Sequence, residues 1–181
     1  CKSHLWARNA STGQETRLTA EPGEFGAASF TPGGRELVFA ARASCNKLTT
    51  DKPANATTTD TACWSIATLD FAQTLSTPQL PSQRFQCQAA HLAHPHALPN
   101  HEYVFLQAND SRHQLMHYND LTKALKPLYA SDVDYLYHFD FDPQSARLAV
   151  FSRTQELKHQ LTLLSVSGQV LSQHLISPPS N

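Results

Sequence analysis

The chain has 181 residues, of which 40% are hydrophobic, a length and composition that suit one domain or one row of repeats. Charged residues make up only 16% and the net charge is -1 with histidines neutral, so no basic field exists to hold a phosphate backbone and no direct nucleic-acid contact by this segment is expected. No apolar run reaches the roughly 18 residues that span a bilayer and no leader-like segment opens the chain, so membrane attachment is expected only through segments outside it.

In chain order, the first elements are short strands. His4-Leu5-Trp6-Ala7-Arg8 leads through Ser11-Thr12-Gly13 to Thr16-Arg17-Leu18-Thr19, two strands joined by a turn. Ala27 to Ala41 then reads AASFTPGGRELVFAA: a strand, a turn at Thr31-Pro32-Gly33-Gly34, and an apolar strand with a Phe near its end. Proline presets the dihedral at the second turn position, and glycine or asparagine tolerates the backbone angles of the position after it. The same pattern recurs at Ala97 to Ala108 (ALPNHEYVFLQA) and at Phe139 to Arg153 (FDFDPQSARLAVFSR). Aligning the three on their phenylalanines matches Phe39, Phe105 and Phe151. Each unit is followed by a further element of short strands: Trp64 to Leu69 leading to Asp70-Phe71, then Gln114 to Tyr118 with Leu125 to Tyr129, then Gln160 to Ser165 with Val170 to Ile176. Only Leu115 to Leu128 leaves room for a helical turn, and Pro127 and Asn119-Asp120 argue against a long one. Four strands per unit, with Phe105 and Phe151 46 positions apart, predict an all-β chain of β-propeller-type blades.

Four cysteines stand at Cys1, Cys45, Cys63 and Cys87, with no C-x-x-C pair to suggest a zinc ribbon or a thioredoxin-type site. Cys45 and Cys63 bracket the polar loop NKLTTDKPANATTTDTA. A bridge across its base would remove on the order of 3 kcal/mol of unfolded-chain freedom and would imply an oxidising compartment. Cys63–Cys87 is the rival pairing, and two buried free thiols the plain alternative.

Catalytic motifs are scarce. The six glycines form no G-x-G-x-x-G or P-loop, no G-x-S-x-G elbow is present, and no cofactor is expected. His101-Glu102-Tyr103-Val104-Phe105 opens like a zincin helix but carries Phe where the second histidine must stand. His91, His94, His96 and His101 crowd HLAHPHALPNH, yet no acidic ligand is interleaved and the prolines hold the path extended, so no metal site is assigned. On a regular strand His94 and His96 share a face and His91 points away. Asp132, Asp134, Asp140 and Asp142 surround His138; Asp142 precedes Pro143 and reads as a turn cap, while Asp140 falls where an innermost strand would line a channel. Ten histidines make pH sensing a specific expectation, because imidazole titrates near mild acidity. The candidate sensing or binding residues are therefore His91, His94, His96, His101, His138 and Asp140. Asn9, Asn55 and Asn109 begin sequon-like triplets, a pattern frequent by chance.

The segment Ala28-Ser29-Phe30-Thr31-Pro32-Gly33-Gly34-Arg35-Glu36-Leu37-Val38-Phe39 resembles the repeat of TolB-like β-propellers, and Leu5-Trp6, Thr12-Gly13 and Arg17-Leu18-Thr19 resemble the strand pair before it. Gly33 stands where such repeats usually carry Asp. Repeats of this kind also occur in the exported halves of CadC/ToxR-type membrane-bound transcriptional regulators. The resemblance implies a partial or open propeller, a strand pair over residues 1-26 followed by blades over 27-90, 91-134 and 135-181, as part of a longer protein. It further implies a periplasmic, non-catalytic sensory or protein-interaction domain, with a protein partner or self-association expected and a small ligand allowed. The alternatives are a TolB-like envelope accessory protein and, behind it, an enzyme built on the His or Asp cluster. The strand pair from Leu5 to Thr19 is the expected docking edge.

Overall fold

The computed structural model describes residues 2–44, 62–86, 91–109, 112–131 and 135–176. A two-stranded sheet, β1 (Trp6–Arg8) with β2 (Glu15–Arg17), comes first. Three four-stranded antiparallel sheets follow, each a meander in chain order. The first contains β3 (Phe25–Phe30), β4 (Glu36–Ser44), β5 (Ala62–Asp70) and β6 (Ser82–Gln86). The second contains β7 (His91–Leu98), β8 (Glu102–Asn109), β9 (Arg112–Asn119) and β10 (Ala124–Ser131). The third contains β11 (Tyr135–Asp142), β12 (Arg147–Arg153), β13 (His159–Ser165) and β14 (Val170–Ile176). This is the partial propeller that the repeats predict: an all-β array of three blades and a strand pair.

Each Pro-centred turn is closed by its own residues. In the first, Gly34 donates to the Thr31 carbonyl (2.8 Å) and the Glu36 N–H to the Thr31 hydroxyl (3.1 Å). In the second, Asn100 and His101 both take left-handed backbone (φ 64° and 59°). In the third, the Asp142 carboxylate accepts from the N–H groups of Gln144 (3.0 Å) and Ser145 (3.3 Å). Every first-to-second strand pair also carries a register shift, at Phe25/Ala28, Ala93/His96 and Leu136/His138. A bulge at one recurring place turns the first strand of each blade in the same way.

Packing is sheet on sheet. Leu18 from the strand pair closes on Leu37, Phe39 and Leu69 of the first sheet. Val38, Ala40 and Ile66 on the opposite face of that sheet meet Tyr103, Phe105 and Met116 of the second. Val104, Leu106 and Leu115 then meet Leu148, Val150 and Leu164 of the third. The third blade corrects the alignment on phenylalanines. Phe139 pairs with Val150 as Ala28 pairs with Phe39, so Val150 occupies the inward place and Phe151 lies on the opposite face, half-buried. Proline to inward residue spans seven positions in both blades, Pro32 to Phe39 and Pro143 to Val150, whereas Phe151 is one step too far.

Leu115 to Leu128 is strand and turn, as expected, and one local feature departs from expectation: the one helix of the described residues is α1 (Phe71–Ser76), capped by Asp70, whose carboxylate accepts from the Gln73 N–H (3.1 Å). After α1 the chain runs parallel to the strand pair at Gln79, whose N–H donates to the Leu18 carbonyl and whose carbonyl accepts from Ala20 (2.9 and 2.8 Å). That contact ties the strand pair to the first sheet.

Gly168, in the β13–β14 turn, has φ 90°, and a Cβ there would stand 2.6 Å from the carbonyl oxygen of Leu128 on β10. The third sheet thus touches the second backbone to backbone at its outer edge. Gly168→Ala is expected to lower the unfolding free energy by about 1–3 kcal/mol, from backbone strain and a clash with an atom that cannot swing away. Gly34→Ala, also at positive φ but facing open space, should cost about 1 kcal/mol. Urea unfolding of both variants checks the difference.

Cys63 is buried on β5 and disulfide-bonded. Its partner, like Cys45 and Cys87, lies outside the described residues, and so does the choice between the two pairings. No helix among the described residues is long and apolar enough to cross a membrane.

Candidate functional site

The first strands of the three full sheets, β3, β7 and β11, come together along one edge of the stack. The Ser29 hydroxyl on β3 donates to the Pro95 carbonyl on β7 at 2.7 Å. Across the next seam, the His94 ring meets the His138 ring of β11 edge to face, with centroids 4.6 Å apart. His96 packs against Phe139 (5.1 Å), and its Nε2 stands 4.0 Å from the Asp140 carboxylate. Four of the six candidates, His94, His96, His138 and Asp140, therefore meet where β7 and β11 run side by side.

The bulge sets this arrangement. His94 has left-handed backbone (φ 50°), and the pairing of β7 with β8 jumps from Ala93 to His96. Regular pairing is interrupted here, yet His94 and His96 both face the neighbouring blade, the shared side that strand alternation suggests. His91, at the start of β7, lies beside Trp64 of the first sheet, with ring centroids 5.5 Å apart. His101 sits in the turn, exposed, with its carbonyl accepting from the Asp120 N–H (2.9 Å), and does not join the cluster. Asp132 and Asp134 lie outside the described residues. Asp142 is spent on its turn, where hydrogen bonds from Ser145 and Gln144 hold its carboxyl below the usual range.

The electrostatics follow from burial and like charge. Desolvation pushes the His94 pKa down, and the neighbouring His138 and His91 add to the shift. His96 is also lowered, first by burial and then by His94 and His138, with Asp140 opposing. Asp140 is 73% exposed, so water screens its attraction and cannot restore His96 to the ordinary range. Burial and the neighbouring rings thus favour the uncharged form of His94 and His96 at neutral pH.

Beside the seam lies a cleft of about 130 Å³, lined by His91, His94, Gln107, His113, Tyr135 and Tyr137 among others. His113 meets Tyr135 edge to face at 4.0 Å, and burial lowers its pKa. Neither residue belongs to a local sequence pattern; only the pairing of blades places them together. Glu102, in the sequence a false zincin glutamate, accepts from His117 Nε2 and Asn119 Nδ2, each at 3.0 Å. These partners stand across β8 and β9, and hydrogen bonding outweighs desolvation to keep the Glu102 pKa low. The set ties two strands together. Among the described residues, no group of three or more His, Cys, Asp or Glu side chains could hold a metal ion.

No protein-family model matches this chain, and no curated protein sequence does. Its similarity is to solved structures. TolB from Acinetobacter baumannii superimposes with a TM-score of 0.67 at 14% identity, over 99% of this chain and 39% of that one. An oligogalacturonate lyase in complex with manganese gives 0.62 at 14% identity, over 94% of this chain and 48% of that one. The β-propeller domain of the Trilobed protease from Pyrococcus furiosus, with its open velcro topology, gives 0.52 at 12% identity, over 85% and 44%. The chain thus spans less than half the length of each of these proteins. The shared feature is the TolB-like propeller fold, and one fold hosts both binding proteins and enzymes.

Proposed function

We propose that this chain is a non-catalytic sensory and protein-interaction domain, placed on the periplasmic side of a membrane-anchored transcriptional regulator, and that mild acidity is read at the β7–β11 seam. The observation carrying this reading is the His94–His138 ring contact, with His96 beside it. Histidines whose protonation is opposed by burial and by one another convert a small fall in pH into repulsion between two blades. The TolB-like fold and the disulfide at Cys63 support an exported setting. A TolB-like envelope accessory protein is the second reading, favoured by the TM-score of 0.67 with TolB.

Imidazole NMR shifts tracked from pH 5 to 8 test the sensor. With His138→Asn, the His94 transition should move up toward the ordinary imidazole range, because the like charge is gone, and amide exchange in β7 and β11 should lose its acid-induced rise. A His94 transition indifferent to His138→Asn, with exchange independent of pH, defeats it. For the regulator context, the full-length gene product should carry a DNA-binding winged helix and one membrane helix before Cys1. A cleaved leader in that place would favour the accessory protein.

A further inference from the structure

We propose that the groove between the first two sheets, beside their Pro-centred turns, binds a small hydroxylated aromatic carboxylate. The Tyr103 hydroxyl takes the ring oxygen and Arg35 takes the carboxylate. The groove has a volume of about 490 Å³, and its walls come from the β3–β4 and β7–β8 turns. That volume falls within the range of small-molecule sites, roughly 300–1,000 Å³. Both sheets have all four strands, so the groove lies inside the array and away from its two ends. It shares no residue with the cluster of His94, His96, His138 and Asp140.

The decisive group is Tyr103. It is only 4% exposed, yet its hydroxyl has no hydrogen-bond partner among the described residues. Tyr118, stacked beside it with ring centroids 6.5 Å apart, donates its own hydroxyl to the Arg84 carbonyl (3.4 Å) or the Asp120 carboxylate (3.3 Å). Among the described side chains, only Ser152 Oγ is both unpartnered and sealed from the surroundings. The Tyr103 side chain instead lines the groove. Leaving a buried hydroxyl unpaired is costly, so such groups are rare and call for a partner. Burial raises the Tyr103 pKa, which keeps the phenol a protonated donor at neutral pH.

The rest of the lining sets the other parts of the ligand. Pro32 and Pro99, one from each turn, and Leu98 give apolar walls against which a ring packs. Arg35 marks the rim: its side chain is 83% exposed, and its ion-pair partner Asp70 stands 3.7 Å from Nε. Its guanidinium makes no hydrogen bond among the described residues, so its terminal nitrogens are open to fork onto a carboxylate. Arg84, by contrast, is already held by Thr68, Glu36 and Asp120. One open guanidinium with Glu36 and Asp70 close by suits a single negative charge and not a phosphate dianion.

NMR titration of the chain with para-hydroxyphenylacetate and with phenylacetate tests the site. The hydroxylated acid should give saturable amide shifts at residues 31–36 and 97–103, with a dissociation constant of about 1 mM or below. It should bind roughly fivefold to tenfold tighter than phenylacetate, because only it supplies an acceptor for Tyr103. Tyr103→Phe removes an oxygen that has no partner, so the fold should survive, and the two acids should then bind equally. Arg35→Gln should weaken both by about fivefold. No saturable shift in the groove up to about 10 mM overturns the proposal. A native chain that does not distinguish the two acids overturns it as well, for the Tyr103 hydroxyl then serves solvent alone. So does a hydroxyl preference that persists in Tyr103→Phe, or an affinity indifferent to Arg35→Gln.

Discussion

Phe105→Ala is expected to lower the unfolding free energy by about 3–5 kcal/mol, a large share of what holds a domain of this size together. Phe105 is fully buried in the core between the first two sheets. Its ring packs 5.3 Å from that of Phe85 on β6. Truncation would leave a void lined by two separate sheets, and neither can collapse into it without moving a whole blade. The cost should therefore fall at the upper end of the range for an aromatic-to-alanine change. Leu121→Ala, at a turn residue 69% exposed, should stay within about 0.5 kcal/mol. Urea midpoints measured side by side check both; similar losses for the two would mean that the first seam is not the main core.

Acidification from pH 7.5 to 5 is expected to lower stability, with most of the loss arising at the β7–β11 seam. His94, His96 and His113 all have folded pKa values below the ordinary imidazole value of about 6.5. In the window between the folded and unfolded values the unfolded chain binds more protons, so the unfolding free energy rises with pH. The stabilisation is complete above the unfolded pKa and is lost as pH falls through it toward the folded values. Carboxylates contribute little here: Glu24, Glu102, Asp142 and Glu156 are held below their usual range and remain ionised in both states until more acidic conditions. His94→Asn and His96→Asn should each flatten the dependence of the urea midpoint on pH, whereas His101→Asn in the exposed turn should leave it alone. A slope unchanged by all three substitutions would place the acid sensitivity elsewhere.

The fold was legible because its signals are local. A Pro or Asn turn, the strand before it and the apolar strand after it fall within about fifteen residues, and three copies made the blade visible. Which side chains point inward was less legible. One residue decides it, and matching phenylalanines by type hid the fact that Val150 takes the inward place. The helix α1 was missed because six residues carry little periodicity, although the Asp70 cap was there to be read. At the seam, the cluster on β7 was apparent but its partners were not: His138 and Asp140 join it across a blade boundary. His94 and His96 do meet the same neighbouring blade and His91 a different one, as alternation suggests, although a bulge at His94 interrupts the regular pairing. His113 and Tyr135 had no sequence signal at all, since their contact depends on how two sheets stack.

Each four-stranded sheet is cut from a single uninterrupted stretch of chain, with no strand borrowed from a distant part of the sequence. Such a chain can assemble vectorially: a blade has all its own strands once the last of them has emerged, and must wait only for a neighbour to cover its apolar side. The same economy bears on how these arrays evolve. Duplicating or deleting one stretch adds or removes a layer without rethreading the rest, so the number of layers can drift while each remaining layer keeps its own strands.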